Sequence, residues 1–517
     1  MMVARQRYLN DGWQLSALLR GIAELGEHED VTILGLASDS RRVGPGDLFF
    51  ACQGKRVQGH DYISESIKYG AVAVIYDATI SCSIDLIKDR VPTIAVADLG
   101  SKVGLIADRF YRHPSHDMHV TGVTGTNGKT SCSHIIAHAL SKGSTTPAGL
   151  IGTLGNGLCG DLKPSTHTTP DPISLQVLLR EMRDAGTTEV VMEVSSHGLD
   201  QGRVNGVEIE AAVYTNITRD HLDYHQTMAA YVAAKKRLFM LPTLRYAVIN
   251  LDDAYSHEIV AALSSGVAAL GFTLQDATSA VATPPANVAV MRAIVLKSDR
   301  HGAEVQVKSP YGNGLLVTSL IGLFNVRNLL ASLALLLLRG IAMEEALARL
   351  ATTRPLPGRM ETFDNSGAAP LLVVDYAHTP DALENVLMAL RQFTRGKLWC
   401  VFGCGGDRDT GKRPMMGAIA GRYADYVVVT DDNPRSEAPQ AIVAAILAGV
   451  PKSVTATVIH DRTTAIHYAF TRAAVQDTIL IAGKGHEEYQ EISGQRYPYS
   501  DRQVAATLVG TAEGVRL

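Results

Sequence analysis

Thr124-Gly125-Thr126-Asn127-Gly128-Lys129-Thr130, directly after the strand-like Met118-His119-Val120, reads as a strand that turns through glycines into a helix. This arrangement cradles phosphate. Glycines let backbone N–H groups approach phosphate oxygens, and the helix N-terminus adds partial positive charge. The Lys129 ammonium reaches the β- and γ-phosphates, and the Thr130 hydroxyl can hold Mg²⁺. ATP or GTP is the ligand such a loop predicts. The strict G-x-x-x-x-G-K-[ST] template asks for glycine where Val123 stands, and Gly122 comes one residue early, so an ordinary surface turn stays open on this run alone.

Outward from the loop, strand-like runs (Val190-Val191-Met192, Ala212-Val213-Tyr214, Ala247-Val248-Ile249) alternate with helical ones such as Ala229 to Leu238. The alternation predicts βα units around a mainly parallel sheet. Thr352-Thr353-Arg354-Pro355-Leu356-Pro357-Gly358 breaks the pattern and reads as a linker. Beyond it, Leu371 to Val374, Leu398 to Phe402, Tyr426 to Thr430 and Thr478 to Ala482 read as strands, with Asp381 to Gln392 helical. Before the loop, Asp47 to Cys52 and Ala71 to Tyr76 read as strands of a small α/β domain. At 517 residues the chain outgrows a single core, and about three domains are expected. The predicted fold is therefore α/β in three domains: 1–114, a central P-loop-type domain with a mainly parallel sheet over 115–354, and a C-terminal α/β domain over 355–517.

Net charge is −4, and no run of five basic residues occurs, so no nucleic-acid footprint is present. Six cysteines (Cys52, Cys82, Cys132, Cys159, Cys400, Cys404) lack the paired spacing of a zinc site and predict thiols in a reducing compartment. Arg5 and Arg7 precede no apolar signal core, and Leu329 to Leu338, bracketed by Arg327 and Arg339, is too short to span a bilayer. A cytoplasmic protein without a membrane span is expected.

A Mg-nucleotide needs oxygen ligands near its phosphates. Glu193, at the carboxyl end of Val190-Val191-Met192, sits where open α/β sheets bind ligands, though an ordinary loop acid is the alternative. Asn216 to His225 concentrates metal- and phosphate-binding side chains. His221 and His225 have i, i+4 spacing, but Leu222 stands where the zinc-protease motif needs glutamate; a polar loop with a capping aspartate remains open. Gly403-Cys404-Gly405-Gly406 does not make a dinucleotide fingerprint, because Arg408 replaces the third glycine.

Gly125-Thr126-Asn127-Gly128-Lys129-Thr130, Met192-Glu193-Val194-Ser195-Ser196-His197-Gly198-Leu199 and Asn216 to His225 occur in the order seen in Mur ligases, and over nearly its whole length the chain resembles that family. Within it, the motifs are most similar to members that add the third amino acid of the peptidoglycan stem peptide. The resemblance implies a nucleotide site of Gly125, Thr126, Asn127, Gly128, Lys129 and Thr130, with Asn325 meeting the adenine and Arg359 and Asp375 closing over ATP. A helix cap is the competing reading of Asn325. It implies Lys129, Glu193, His221 and Lys235 as the catalytic set, with Mg²⁺ ligands among Thr130, Glu193, His221 and a carbamylated Lys235. From its residues alone, Lys235 reads as a solvated helical lysine.

For UDP-N-acetylmuramoyl-L-alanyl-D-glutamate the resemblance implies Ser38, Ser40, Thr168, Thr169, Ser195, Gln201 and Arg203, and it is weaker around Lys55-Arg56-Val57. Plain loop residues are the alternative for the serines and threonines. Asp432-Asn433-Pro434-Arg435 resembles the signature of meso-diaminopimelate addition, joined by Arg408, Gly483 and Glu487. A guanidinium at Arg435 can grip the carboxylate that distinguishes diaminopimelate from lysine, and Glu487 can hold an ammonium group. As residues alone, Asp-Asn-Pro is also a good turn. The implied function is ATP-dependent amide ligation through an acyl phosphate, by a monomer with small-molecule partners. A lysine-adding relative, a P-loop switch or transport ATPase, and a non-enzymatic nucleotide-binding module are the alternatives.

Overall fold

The computed structural model describes residues 12–26, 29–53, 58–79, 91–275, 288–365 and 368–510. Arg5, Arg7, Cys82 and Lys55-Arg56-Val57 lie outside them. The chain forms two compact units, Met1–Gly122 with Thr145–Glu210, and Val123–Ser144 with Ala211–Leu517.

In the first unit, Gly35–Ala37, Asp47–Ala51, Ala71–Asp77 and Thr93–Val96 make a four-stranded parallel sheet in sequence order. Alternate side chains Leu48 and Phe50, Ala73 and Ile75, Ile94 and Val96 face a core shared with Leu99, Val103, Ile106 and Phe110 of the helix Leu99–Phe110. Farther along, Gly149–Gly152 pairs in parallel with Glu189–Glu193 and antiparallel with Gly155–Leu158. The helix Pro172–Asp184 starts on the Asp171 carboxylate, which accepts from the N–H groups of Ile173 and Ser174.

In the second unit, Ile209–Tyr214 (from Ala211 on), Tyr246–Asn250, Ala268–Gln275 and Ala289–Asp299 pair in parallel, Gly302–Ser309 adds on antiparallel, and Gly312–Thr318 pairs antiparallel with it as the edge strand. The apolar run Leu329 to Leu338 is the back of the helix Leu323–Leu338, buried in the core. A six-stranded sheet follows, in the order Glu361–Phe363, Leu371–Asp375, Thr478–Ala482, Leu398–Phe402, Tyr426–Val429, Ala456–Val458. All but the first of these run parallel. Both faces are covered, so its strands are apolar on both sides. Leu398, Cys400 and Phe402 pack beneath the helices Pro380–Arg391 and Lys412–Tyr423. Trp399 and Val401 pack beneath Arg462–Arg472 and Asp501–Leu508.

The class is α/β with mainly parallel sheets, as the sequence predicts. One boundary differs at the decisive stretch. The strand runs His119–Thr124 rather than ending near Val120, so Val123 is a buried strand residue and the turn starts at Gly125. Among the described residues no helix is long and apolar enough to cross a membrane.

Candidate active site

The phosphate cradle is built on two glycines and braced by one neighbouring loop. Gly128 caps the helix Lys129–Ser141 in the left-handed region (φ +87°), and a Cβ there would lie 2.6 Å from Asn328 Oδ1. A Cβ on Gly125 would lie 1.8 Å from Thr215 Oγ1. Thr126 N–H donates to Asn216 O (2.8 Å), Asn127 N–H to Asn216 Oδ1 (2.9 Å), and Thr215 Oγ1 to Asn127 O (2.6 Å). Lys129 folds back over the turn, with Nζ donating to the carbonyls of Gly125 and Thr126 (both 2.9 Å). These carbonyls hold the ammonium where phosphate oxygens would replace them.

Lys235 lies on the helix Met228–Lys236 and is buried, not solvated. Its Nζ donates to Gly125 O (2.8 Å) and sits 4.7 Å from the centroid of the Tyr231 ring. Burial first, and then the Lys129 ammonium, push its pKa well below the ordinary lysine value, which favours the uncharged amine. His221 stands in the left-handed region (φ +55°) ahead of the short helix Leu222–His225, and its Nε2 is 3.4 Å from Asp220 Oδ2. Asp220 is buried, which raises its pKa, but His221, Lys412 and His378 outweigh this and hold it below the usual carboxylate range.

The segments after the linker also reach the cradle. Asn127 Nδ2 donates to Asp381 Oδ2 (2.7 Å), and Arg359 donates to Thr130 Oγ1 (3.3 Å) while its guanidinium lies 4.3 Å from the Tyr376 ring centroid. Asp375 Oδ2 accepts from Met360 N–H (2.8 Å); burial pushes this carboxyl up to about 6, against the pull of Arg359. Asn325 is the third residue of its helix and donates to Ile321 O (2.9 Å), so its side chain does not serve as the N-cap.

At the carboxyl ends of the six-stranded sheet, Asn433, Arg435, Gly483 and Glu487 come together. Asn433 Nδ2 donates to Glu487 Oε2 (2.9 Å), and Lys484 Nζ bridges Asn433 Oδ1 (2.9 Å) and Glu487 Oε2 (3.0 Å). Arg435 (φ +54°) donates to Gly406 O (2.7 Å) and has Nε 3.4 Å from Glu491 Oε2. A Cβ on Gly483 would lie 2.6 Å from Asp432 Oδ2, so the backbone approaches that carboxylate closely. Pro434 O accepts from Glu437 N–H (3.1 Å), so the hydrogen-bonded turn spans residues 434–437 and begins at the end of Asp432-Asn433-Pro434. Arg408 is exposed and donates to Asp407 O (3.2 Å).

In the first unit, Glu193 ends its strand fully buried and accepts from Thr153 N–H (2.8 Å) and Thr153 Oγ1 (3.1 Å). Thr168 Oγ1 is 3.0 Å from Thr153 Oγ1, and Thr169 Oγ1 donates to Glu193 O (2.8 Å). Ser195 caps the helix Ser196–Asp200 through Gly198 N–H (3.0 Å). Arg203 donates to Thr169 O (2.7 Å) and to Gln201 Oε1 (2.7 Å and 3.0 Å). Thr168, Thr169, Glu193, Ser195, Gln201 and Arg203 thus form one polar network. Ser40 donates to Glu65 Oε2 (3.1 Å) in the turn Ser40–Arg42, and Ser38 is exposed just before it.

Three family models match in succession: the Mur ligase family catalytic domain over residues 32–111, the Mur ligase middle domain over 123–336, and the Mur ligase glutamate ligase domain over 358–485. The UDP-N-acetylmuramoyl-L-alanyl-D-glutamate–2,6-diaminopimelate ligase of Chromobacterium violaceum is 47% identical over 484 residues, 93% of this chain and 94% of the relative. The chain belongs to the Mur ligase family. A relative of the same printed name from Coxiella burnetii is 46% identical over 92% of this chain and 95% of its own. A solved structure with that title has 34% identity and a TM-score of 0.66, covering 96% of this chain and 99% of its own. A Mur ligase of Thermotoga maritima solved with ADP shares the fold at 18% identity and TM-score 0.58, covering 86% of this chain and 93% of its own.

In this Mur ligase, sequence reading gives no role to Asp220, Asp381 or the Arg219–Asp409 pair. Arg219 donates twice to Asp409 (3.0 and 3.1 Å), tying the polar loop to the turn before the helix Lys412–Tyr423. The one available signal was position: Asp220 adjoins His221, and Asp381 opens a helix behind a proline.

Proposed function

We propose that this chain is an ATP-dependent amide ligase that joins meso-diaminopimelate to UDP-N-acetylmuramoyl-L-alanyl-D-glutamate in peptidoglycan precursor synthesis, releasing ADP and phosphate. The observation that carries the reading is the 47% identity, over 93% of the chain, to a relative named for this reaction. Residues 1–114 are assigned to the UDP-muramyl substrate, 115–354 to ATP, and 355–517 to the incoming amino acid and closure over ATP. A cytoplasmic setting is proposed, with which the thiols of the described cysteines Cys52, Cys132, Cys159, Cys400 and Cys404 agree, and the chain is proposed to act as a monomer.

The D-glutamyl carboxylate attacks the γ-phosphate of ATP, giving an acyl phosphate and ADP. The diaminopimelate amine then adds to the acyl carbon, and phosphate leaves as the amide forms. The cradle glycines Gly125 and Gly128 and the helix start at Lys129 and Thr130 are assigned to the phosphates, Thr126 and Asn127 fix the turn through their N–H bonds to Asn216, and Lys129 exchanges its two carbonyl partners for phosphate oxygens. Asn325, Arg359 and Asp375 orient the nucleotide. Mg²⁺, when bound, spreads the charge that gathers on the transferring phosphoryl group. In the second unit the residues assigned to such a cation are the Thr130 hydroxyl, His221 and Lys235, whose buried uncharged amine can add CO₂ with loss of a proton to give a carbamate oxygen donor; Glu193 of the first unit is assigned a metal-binding role of its own.

Thr168, Thr169, Ser195, Gln201 and Arg203 are assigned to the muramyl peptide, with Ser38 and Ser40 toward its nucleotide end. Arg408, Asp432, Asn433, Pro434, Arg435, Gly483 and Glu487 are assigned to diaminopimelate. Arg435 selects the second carboxylate and Glu487 an ammonium, which supports diaminopimelate over lysine. Arg435→Ala should raise KM for diaminopimelate about 10- to 100-fold, the loss of one charge-assisted contact, with KM for ATP unchanged. An unaltered diaminopimelate KM, or equal use of L-lysine by the wild type in a side-by-side assay, contradicts the assignment.

A further inference from the structure

Between the helix Leu99–Phe110 and the strand His119–Thr124 runs Tyr111-Arg112-His113-Pro114-Ser115-His116-Asp117-Met118, which the ligase reaction does not use. Its two imidazoles stack, with ring centroids 4.9 Å apart and planes inclined by 25°. Asp108, in the last turn of the helix, is buried, and its Oδ2 is 2.6 Å from His113 Nδ1. The other oxygen of the same carboxyl, Oδ1, is buried and has no hydrogen-bond partner among the described residues. One ligating atom from each of Asp108, His113 and His116 lies within 4.8 Å of the others. Behind them, His116 Nε2 is 3.0 Å from Glu208 Oε1.

A buried carboxylate oxygen with no partner has given up its hydration with nothing in return, a cost that grows when the group is charged. Here burial, with Glu208 adding to it, raises the Asp108 pKa against the pull of the two histidines. Two carboxylates facing two imidazoles carry the charge that a dication neutralises. Two nitrogen donors and one carboxylate oxygen select a transition metal over Mg²⁺, which prefers oxygen alone. With metal–ligand bonds of about 2.0–2.1 Å, tetrahedral donors stand about 3.3 Å apart. The half-exposed His113 and His116 side chains can turn to close the remaining gap.

We propose that Asp108, His113 and His116 form a binding site for a divalent transition-metal ion of the Zn²⁺ class. Water fills the fourth position, and Glu208 orients His116 through its second ring nitrogen. The ion takes the place of the proton shared by His113 Nδ1 and Asp108 Oδ2, and that proton moves to His113 Nε2. The site ties the 111–118 segment to the end of its preceding helix.

The test is titration of the full chain, purified without a histidine tag and held in excess Mg²⁺, with Co²⁺ as the visible probe. The expected result is the strong absorption of four-coordinate Co²⁺, saturating at one equivalent and displaced by Zn²⁺. His113→Asn, which suits the left-handed backbone at that position (φ +49°), and His116→Ala should each abolish the bands and weaken Zn²⁺ binding by about 100-fold or more. Ligase turnover with Mg²⁺ should be unchanged in both variants, and either variant suffices if the other does not fold. His221→Ala should keep the bands. Absence of the bands in the wild type, their persistence in His113→Asn or His116→Ala, or their loss in His221→Ala overturns the proposal.

Discussion

Gly128 carries two constraints at once: a left-handed backbone and a side chain's worth of space already filled by Asn328 Oδ1. Gly128→Ala should cost about 1–3 kcal/mol and weaken ATP binding with it, because the strained position sets the direction of the cradle N–H groups. Urea unfolding and the ATP KM check this; wild-type values for both contradict it. Asp375 gives a pH signature. Its folded pKa, pushed up to about 6, lies above the unfolded value of 3.8, so the folded state binds the extra proton in that window. The stability it contributes is complete below the unfolded value and is lost as pH rises through about 6, on the order of 2–3 kcal/mol. Asp375→Asn should remove this fall from the pH dependence of unfolding. An identical pH dependence in wild type and variant contradicts the assignment. Lys235 shows where residue-level reading stops. Its neighbours in sequence make it look like a solvated helical lysine, and only the fold brings it to Gly125 O.

Among strands buried on both faces, the sequence reading meets Leu398–Phe402 and Thr478–Ala482 to the residue and misses Leu371–Asp375 and Tyr426–Val429 by one residue at the carboxyl end. Leu398–Phe402 and Thr478–Ala482 are continuous apolar runs whose alternate side chains enter two different cores. His119–Thr124 was read short, because Thr121, Gly122 and Thr124 resemble a turn by composition while the fold buries all of them. The sequence reading omits the antiparallel strands Gly302–Ser309 and Gly312–Thr318, although Ala303, Val305 and Val307 alternate with Glu304, Gln306 and Lys308 in the two-residue period of a half-buried strand. The contacts Asn127–Asp381 and Arg219–Asp409 join residues far apart in sequence and leave no local pattern. The same holds for Arg462 and Asp501, which pair by two 2.8 Å bonds with neither side chain exposed and connect the helices Arg462–Arg472 and Asp501–Leu508. Asp501→Ala should destabilise the fold by about 3–5 kcal/mol, since it strands a buried guanidinium. A loss below about 1 kcal/mol in denaturant unfolding would sink that account of the helix pair.

For the molecule as a whole, the order of motifs made the family legible. The cradle, the Glu193 strand end, the polar loop and the Asp432–Arg435 turn follow one another along the chain, and the three family models match in the same sequence. The match is to a near full-length relative, so the account rests on a complete ligase reaction and not on nucleotide binding alone. Such a ligase splits ATP only when the carboxylate acceptor is in place, and completes turnover only when the amine is too. The most direct measurement is ADP release with UDP-N-acetylmuramoyl-L-alanyl-D-glutamate and meso-diaminopimelate omitted in turn, with the product identified by mass. The account predicts sustained ADP release and one amide product per ADP only when both are present, and neither in Lys129→Ala. Steady ATP hydrolysis in the absence of both, with no amide product when both are supplied, would contradict it.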